Sequence, residues 1–524
     1  MIFFNTTGPV DASCHYLVPP LSRINLPEVL RLISTRRYFV LHAPRQTGKT
    51  STLLSLRDHL NSSGDYRCVY VNVEAAQTAR EDIDSAMRTM LSEFAERAQD
   101  AGDNSYPDAI WPDLLKRSGA NSVFNLVLSR WAGSDQKPLV LLIDEIDALV
   151  GDTLVSVLRQ LRSGYDRRPV RFPQSVVLCG VRDVRDYRIH ASSEKEVIAG
   201  GSAFNIKAKS LRLWDFTEAE MRALLLQHTE ETGQAFAEEA LSAIWEQTQG
   251  QPWLVNALAW EICFEGRDEP DYSDSITHED VIAAREALIL RHDTHLDQLT
   301  DKLQEDRVRR VVEPILAGRE LSYSSSEDKK YIRDLGLVAQ DAPLRIANPI
   351  YSEVIPRILT DTVQDELSIE QSTYINDQGR LDMSRLIGDF QQFFRENSEI
   401  WVNRFSYSEA GCQLLLQAFL QRVINGGGSI EREYGLGKMR TDLLIRWPAG
   451  DDTENFVVEC KLRHKGLEAA IAEGLKQTAR YMDKCGATGG HLVIFDRSAD
   501  RSWAEKIFRR NAARTGAPIT IWGM

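Results

Sequence analysis

The stretch from Phe39 to Thr52 reads FVLHAPRQTGKTST. An apolar run, Tyr38 to Leu41, enters a polar loop closing on Gly48-Lys49-Thr50, and Leu53, Leu54 and Leu56 leave it in a helix-like pattern. Strand, loop, helix is the layout of a phosphate-binding loop. Backbone N–H groups and a helix N-terminus converge on an anion, a lysine brings a point charge to the outer phosphates, and the next hydroxyl can ligate magnesium. The expected cradle is Ala43, Pro44, Arg45, Gln46, Thr47, Gly48, Lys49 and Thr50. The usual pattern opens with glycine; Ala43 stands in that place, which the turn accepts if its φ is negative.

Downstream, CVYVNVEA (Cys68 to Ala75) alternates as a strand does, and a long polar helical region fills roughly 78 to 131. Pro138 then opens LVLLIDEID. A continuous apolar run suits a buried parallel strand, and its acidic pair falls at the carboxyl end, where α/β sheets place ligands. Asp144 is expected to hold magnesium through its water shell, and Glu145 to orient the attacking water. Asp147 reads as a helix-start acid.

The strand SVVLCGV (Ser175 to Val181) ends at Arg182-Asp183, and Thr217 with Glu220 fits a capped helix start. Gly250-Gln251-Pro252 opens another helix. Arg23, in the segment before the first strand, reads as a surface arginine, with contact to nucleotide as the other reading. The two acid and phosphate motifs look like Walker A and Walker B, and the order from about 20 to 265 resembles AAA-like ATPases related to the STAND class. The resemblance implies ATP as ligand, a γ-phosphate sensor at Arg182 or Asp183, and a finger drawn from Arg162, Arg167 and Arg168 that reaches a neighbouring subunit.

The chain has 524 residues, more than one core serves, so two to four domains are expected. A net charge of −14 excludes a surface that is basic all over, so any nucleic-acid contact must be local. Seven cysteines without a C-x-x-C read as reduced, mostly buried thiols, not zinc ligands or disulfides. The N-terminus does not read as a signal peptide and no apolar run reaches the roughly 20 residues of a membrane span, so a cytoplasmic, soluble protein with no membrane partner is expected.

From about 270 to 360 a helical pattern leads to a glycine break at Gly336 and two strand-like runs, the second LRIANPIY. A winged-helix unit produces that order. It would either bind DNA through Lys329, Lys330 and Arg333 or relay nucleotide state by packing; both readings stand.

The last 140 or so residues carry different chemistry. Glu409 heads an apolar helix, and SIEREYGLGKMRTDLLIRW gives two strand-like runs, the second headed by Asp442. NFVVECKLR follows a polar turn. Glu459 and Lys461, two apart on a strand, share one face while Cys460 points the other way. A helix after them carries Gln477 and Tyr481 one turn apart. Asp442, Glu459 and Lys461 match the core positions of the PD-(D/E)XK nuclease superfamily, with Thr441 where proline often stands. The resemblance implies a metal-dependent nuclease. Asp442 and Glu459 would supply hard oxygen ligands for Mg2+ or Mn2+, Lys461 would position the nucleophile, and Gln477 and Glu409 would assist. Arg497, Arg501, Lys506, Arg509 and Arg510 read as one phosphate-backbone footprint.

The expected fold class is α/β: an AAA-like P-loop ATPase domain with a helical lid over 1–265, a helical or winged-helix connector over 266–365, a linker over 366–380, and an α/β PD-(D/E)XK nuclease-like domain over 381–524. The expected protein is an ATPase and an ATP-regulated, Mg2+- or Mn2+-dependent endonuclease on double-stranded DNA, a homo-oligomer, used against phage or mobile DNA. The alternative is an ATP-switched DNA-binding or signalling adaptor whose nuclease fold does not cut.

Overall fold

A computed structural model describes the chain apart from residues 1, 101–105, 183–187, 191–196, 200–204, 266–271, 292–301, 317–324, 356–373, 377, 405–408, 425–426, 437–438, 451, 464–465, 497, 499–500 and 513–517. It divides into two compact units, Met1–Leu290 with Lys330–Val338, and Arg291–Lys329 with Ala339–Met524. The expected connector, 266–365, is shared between them, and most of the expected linker, 366–380, lies outside the described residues.

The first unit is built on five parallel strands: β1 (Tyr38–His42), β2 (Arg67–Asn72), β3 (Leu139–Asp144), β4 (Ser175–Gly180) and β5 (Lys207–Arg212). Their order is β2-β3-β4-β1-β5. The continuous apolar run of β3 is explained by burial on both faces. Leu139, Leu141 and Ile143 join a core with Phe94, Leu128 and Trp131, whereas Val140 and Leu142 join Ile33, Leu53 and Leu56 on the other face. The first layer is α1 (Leu26–Ser34) and α2 (Lys49–Ser63). The second is α3 (Ile83–Asp100), α4 (Tyr106–Ser118), α5 (Ala120–Ala132) and α6 (Gly151–Ser163), so the expected long helical region is three helices.

The lid follows as α7 (Glu218–Thr232), α8 (Glu238–Thr248), α9 (Pro252–Cys263) and α10 (His278–Leu290). Thr217 and Glu220 form the expected capping box, each satisfying a backbone N–H of the other's end of the turn. Pro252 takes the first helical position of α9, and Gln251 accepts the Leu254 N–H at 2.6 Å.

The middle of the chain adds α11 (Asp306–Leu316) and α12 (Ser326–Asp334), with Gly336 at φ +77° just beyond. The second strand expected there is instead the start of a helix. Asn348 accepts the Tyr351 N–H at 2.9 Å as an N-cap and Pro349 follows it, so a local capping signal overrides the apolar alternation of LRIANPIY.

In the second unit, α13 (Met383–Arg404) and α14 (Glu409–Ile424) lead into a six-stranded sheet. Its strands are β6 (Ser429–Leu436), β7 (Met439–Ala449), β8 (Asp452–Leu462), β9 (Gly489–Phe495), β10 (Phe508–Ala512) and β11 (Ile519–Gly523), in the order β6-β7-β8-β9-β11-β10. β6, β7 and β8 form an antiparallel meander, and α15 (Leu467–Cys485) makes the crossover to β9, which runs parallel to β8. Leu443, Ile445, Val458 and Cys460 pack with Phe390, Phe394 and Leu416 of α13 and α14. Leu444, Val457, Leu492 and Ile494 face α15 through Ile471 and Met482. At Gly474 of α15 an added Cβ would lie 2.4 Å from a Leu492 methyl, so the helix packs closely over this face.

All seven cysteines are free thiols; Cys68, Cys179, Cys263, Cys412 and Cys460 are buried, and only Cys14 and Cys485 are partly exposed.

Candidate functional site

The loop between β1 and α2 takes its left-handed positions at Gln46 (φ 56°) and Gly48 (φ 88°), not at Ala43, which is buried. An alanine therefore fits where a glycine was expected. Lys49 is 5% exposed and its Nζ donates to the carbonyls of Ala43 (3.2 Å) and Pro44 (2.9 Å), so the ammonium is held inside the loop. Thr47 Oγ1 donates to the Pro44 carbonyl at 2.8 Å and stiffens the turn, while Arg45 and Gln46 are exposed.

Asp144 ends β3 fully buried. Its Oδ2 accepts from Thr50 Oγ1 at 2.7 Å and from the Tyr70 hydroxyl at 3.0 Å, and its Oδ1 from the Glu145 N–H at 3.0 Å. Three donors meet this buried carboxylate's need for hydrogen-bond partners. The phosphate-loop hydroxyl and the acid predicted from two distant motifs are thus in direct contact. Tyr70 was not read from the sequence; its position on β2 opposite β3 brings it to Asp144.

Glu145 has a left-handed backbone (φ 54°), and burial raises its carboxyl pKa, with Lys49 opposing and Asp147 and Asp144 adding to the rise. An acid whose proton affinity burial raises, in a loop beside Lys49, has the character of a candidate base. Asp147 is more than a helix-start acid: its Oδ1 accepts the Val181 N–H at 3.2 Å, and a Cβ on Gly180 would meet that oxygen at 2.4 Å. It ties the Walker B loop to the end of β4.

Arg23 corrects its reading as a surface arginine. Its Nη1 donates to the Thr47 carbonyl at 2.5 Å and its Nη2 to the Trp214 carbonyl at 2.6 Å, with the guanidinium 4.7 Å from the Phe216 ring centre. Burial lowers its pKa to about 10, against the pull of Asp215 and Glu220. Asp215 is solvent-exposed and lies near Arg212 and Arg23, whose charges favour its ionised form. The N-terminal segment is stitched into the same place: Val10 N–H donates to Ser51 Oγ at 3.0 Å and Trp253 Nε1 to the Thr6 carbonyl at 2.9 Å. Between them lies a cavity of about 120 Å³ lined by Thr6, Val10, Arg23, Gly48, Phe216 and Trp253. It opens beside the phosphate loop and carries the mixed apolar and polar lining a nucleoside needs.

Of the proposed sensors, Arg182 lies with its guanidinium 4.6 Å from the Tyr331 ring centre, and Asp183 is outside the described residues. Among the proposed fingers, Arg167 donates to Asn125 Oδ1 at 2.6 Å, and Arg168 donates to the Tyr165 and Arg36 carbonyls. These two are engaged within their own unit. Residues 330–338 also reach the site's edge: Arg212 pairs with Asp334 at 3.4 Å, and a Cβ on Gly336 would lie 2.7 Å from the Pro44 side chain.

In the second unit Lys461 Nζ contacts Glu459 Oε1 at 2.8 Å; Glu459 is 3% exposed. Both residues share the sheet face of Val457, the face that α15 covers, as the two-residue spacing predicts. The antiparallel register runs from Ala449↔Asp452 to Leu443↔Val458, and Asp442 and Glu459 are the next residues of the two strands beyond it. The side chains of Asp442 and Glu409 lie outside the described residues. Gln477 is half-buried on α15, and its Oε1 accepts no hydrogen bond among the described residues. Among those residues no group of three or more His, Cys, Asp or Glu forms a metal cluster.

The expected C-terminal basic footprint is split. Strand alternation in β10 sends Arg509 over Trp522 (4.7 Å) and Arg510 to Glu468 of α15 (2.9 Å), so neighbours in sequence face opposite sides of the sheet. Lys506 lies over Trp503, Arg501 pairs with Asp496, and Arg497 is outside the described residues. No helix among the described residues is long and apolar enough to cross a membrane.

Comparison with known proteins bears on residues 31–187 of the first unit. A family model described as an AAA domain matches residues 31–187. Among solved structures, a Walker-type ATPase of Pyrococcus abyssi is 15% identical, with 67% of this chain and 99% of that chain covered and a TM-score of 0.45. Cdc6p of Pyrobaculum aerophilum is 16% identical over 66% of this chain and 93% of its own, with a TM-score of 0.35. The RuvB Holliday junction branch migration motor of Thermotoga maritima is 14% identical over 63% and 95%, with a TM-score of 0.33. A search of curated proteins finds no match. With the phosphate loop, the buried Asp144 and the parallel sheet already in view, residues 31–187 are an AAA-type P-loop ATPase domain.

Proposed function

We propose that this chain is an ATP-regulated, Mg2+- or Mn2+-dependent endonuclease acting on DNA. The observation that carries the reading is the Lys461–Glu459 contact on one face of β8, with Asp442 on the adjacent antiparallel strand one residue past the Leu443↔Val458 pair, in a chain that also holds an ATPase domain. The meander, the crossover helix α15 and the parallel β9 support it, because they present that face at one end of the sheet.

In the ATPase domain, Thr50 Oγ1 and buried Asp144 bring a hydroxyl and a carboxylate together, a donor set of hard oxygens that fits Mg2+. The loop N–H groups and Lys49 would bind the phosphates of ATP, Arg23 would fix the loop against the lid, and Glu145, its proton affinity raised by burial, would take the proton from the attacking water. In the second unit, Glu459, Asp442 and the Gln477 carbonyl offer hard oxygen donors, and Gln477 Oε1 is a buried acceptor left over by the fold. A divalent ion bound there would lower the pKa of its water and shield the phosphate. Lys461 would hold the nucleophile in line and Glu459 would be released from it as the ion binds.

Purified protein incubated with plasmid and Mg2+ or Mn2+, with and without ATP, should cut DNA in an ATP-dependent way. Equal cutting by wild type and by Lys461→Ala overturns the reading. Use against phage or mobile DNA is part of the same proposal and rests on the resemblance of this domain pairing: cells carrying the intact chain should resist some phage, and Lys49→Ala or Asp442→Ala should abolish this. A homo-oligomer is tested by size exclusion with ATP.

One observation favours a second reading. The 2.8 Å pair of Lys461 and Glu459 is also what a purely structural ion pair looks like. On that reading the chain is an ATP-switched adaptor that grips its partner: ATP changes oligomeric state or DNA affinity and no phosphodiester is cleaved.

A further inference from the structure

The polar row on β8 does not stop at Lys461. Arg463 N–H donates to the Phe495 carbonyl at 3.0 Å, which continues the β8–β9 ladder one step and keeps Arg463 on the face of Glu459 and Lys461. Asp496, the residue just after β9, is 4% exposed and its N–H donates to the Met524 carbonyl at 2.6 Å, so its backbone is pinned at the strand ends. Both of its carboxylate oxygens are engaged. Oδ2 accepts from Arg463 Nη1 at 2.5 Å and from Arg501 Nη1 at 3.1 Å, and Oδ1 accepts the Ser498 N–H at 3.0 Å and hydroxyl at 2.6 Å.

Two guanidiniums thus share one carboxylate, and each spends one of its five N–H donors on it among the described residues. Arg463 and Arg501 remain 22% and 30% exposed, so the unspent donors border solvent. Glu505 is committed to the Ser502 N–H and hydroxyl at 2.9 Å each. The location points the same way: β8, β9 and β11 are parallel, and the pair sits at their carboxyl ends, where open α/β sheets bind ligands. Arg463 lies one strand repeat, about 6.6 Å, past Lys461.

We propose that Arg463 and Arg501, held on Asp496, form a clamp for one backbone phosphate of a nucleic acid, beside the phosphate that would lie at Lys461. Asp496 is a positioning residue: it fixes two long side chains whose rotamer freedom would otherwise oppose ordered binding. The forked donors that remain match a phosphodiester, which accepts through two oxygens in one plane with them.

The clamp rests on the nuclease-domain reading for its place next to Lys461, but its test needs no cleavage. Full-length Glu459→Gln protein, without divalent ion, is titrated with labelled DNA duplex and with RNA across roughly 50 to 200 mM salt. The double variant Arg463→Gln/Arg501→Gln, with Gln retaining donors for Asp496, should weaken binding about tenfold at the low end and reduce the slope of log affinity against log salt by about one. An unchanged slope overturns the clamp. In unaltered protein, phenylglyoxal modification of Arg463 and Arg501 should be suppressed by the oligonucleotide; equal modification with and without it overturns the clamp even if the variants fold poorly. Inorganic pyrophosphate is the free-phosphate arm, and protection by it with none by either nucleic acid also counts against the proposal. Should plasmid never be cut while the slope still falls, the clamp stands and the nuclease reading falls. Cutting with an unchanged slope does the opposite, removing the clamp and leaving the nuclease in place.

Discussion

The two candidate sites are assembled in different ways. Around Lys49 most functional groups come from one run of eight residues, and the distant partner, Asp144, arrives through a strand whose end is fixed by the sheet. Around Glu459 the proposed groups would come from two strands and a helix, and their meeting would depend on hairpin register: a one-residue slip of β7 against β8 would carry Asp442 to the other face. The first site is specified by a motif; the second is specified by pairing. The first should tolerate changes in its surroundings and fail when a motif residue changes, whereas the second should be sensitive to both.

Lys49→Ala gives the sharpest test of independence. ATP hydrolysis should fall by about 10²–10³-fold, as when a charge-stabilising donor is lost, while nucleic-acid affinity read without ATP stays as in wild type. Loss of both would mean that the sites cannot be separated. Glu459→Gln should do the converse, lowering cleavage at least as much as the roughly 10–100-fold that loss of a ligand's support costs, with ATP hydrolysis intact. Steady-state ATPase and plasmid-nicking assays on the two variants complete the cross.

A smaller effect is expected at the lid. Gly250 has φ +76°, and a Cβ there would lie 2.1 Å from the Phe216 carbonyl oxygen, whose own residue donates its N–H to the Gly250 carbonyl at 2.8 Å. Gly250→Ala should cost at least about 1–2 kcal/mol from the left-handed backbone alone and weaken ATP binding through Phe216 and Arg23. Thermal unfolding and nucleotide titration measure it.

The smallest effect is a pH dependence of the second unit. His491 is lowered from 6.5 to about 4 by burial, with Arg509 adding and Asp382 opposing, so its contribution is full above 6.5 and is lost as pH falls toward 4. Between pH 4 and 6 the second unit should strengthen as pH rises. Hydrogen exchange resolved by segment should show this, and His491→Gln should flatten the trend.

What could be read from the chain follows the same division. The phosphate loop, the acidic end of β3 and the Thr217–Glu220 cap were legible because each is a short contiguous pattern with one physical meaning. The shared face of Glu459 and Lys461 was legible from the strand period alone. Arg23 was not, because its partners Thr47 and Trp214 are 24 and 191 positions away. The basic C-terminal run misled because Arg509 and Arg510 lie on a strand that was not recognised, and Asn348 before Pro349 was outweighed by the apolar residues around it. Asp496 gave no signal at all, since a single acid after an apolar run is ordinary until its two arginines are seen.

The burial of the thiols has a practical side. One partly exposed cysteine, Cys14, lies in the first unit and one, Cys485, in the second, with the other five buried. Burial raises the Cys485 thiol pKa, so its alkylation calls for more alkaline buffer. The unmodified chain therefore carries one labelling position in each unit, and an environment-sensitive dye on either thiol can follow that unit's response to ATP in real time without introducing a single mutation.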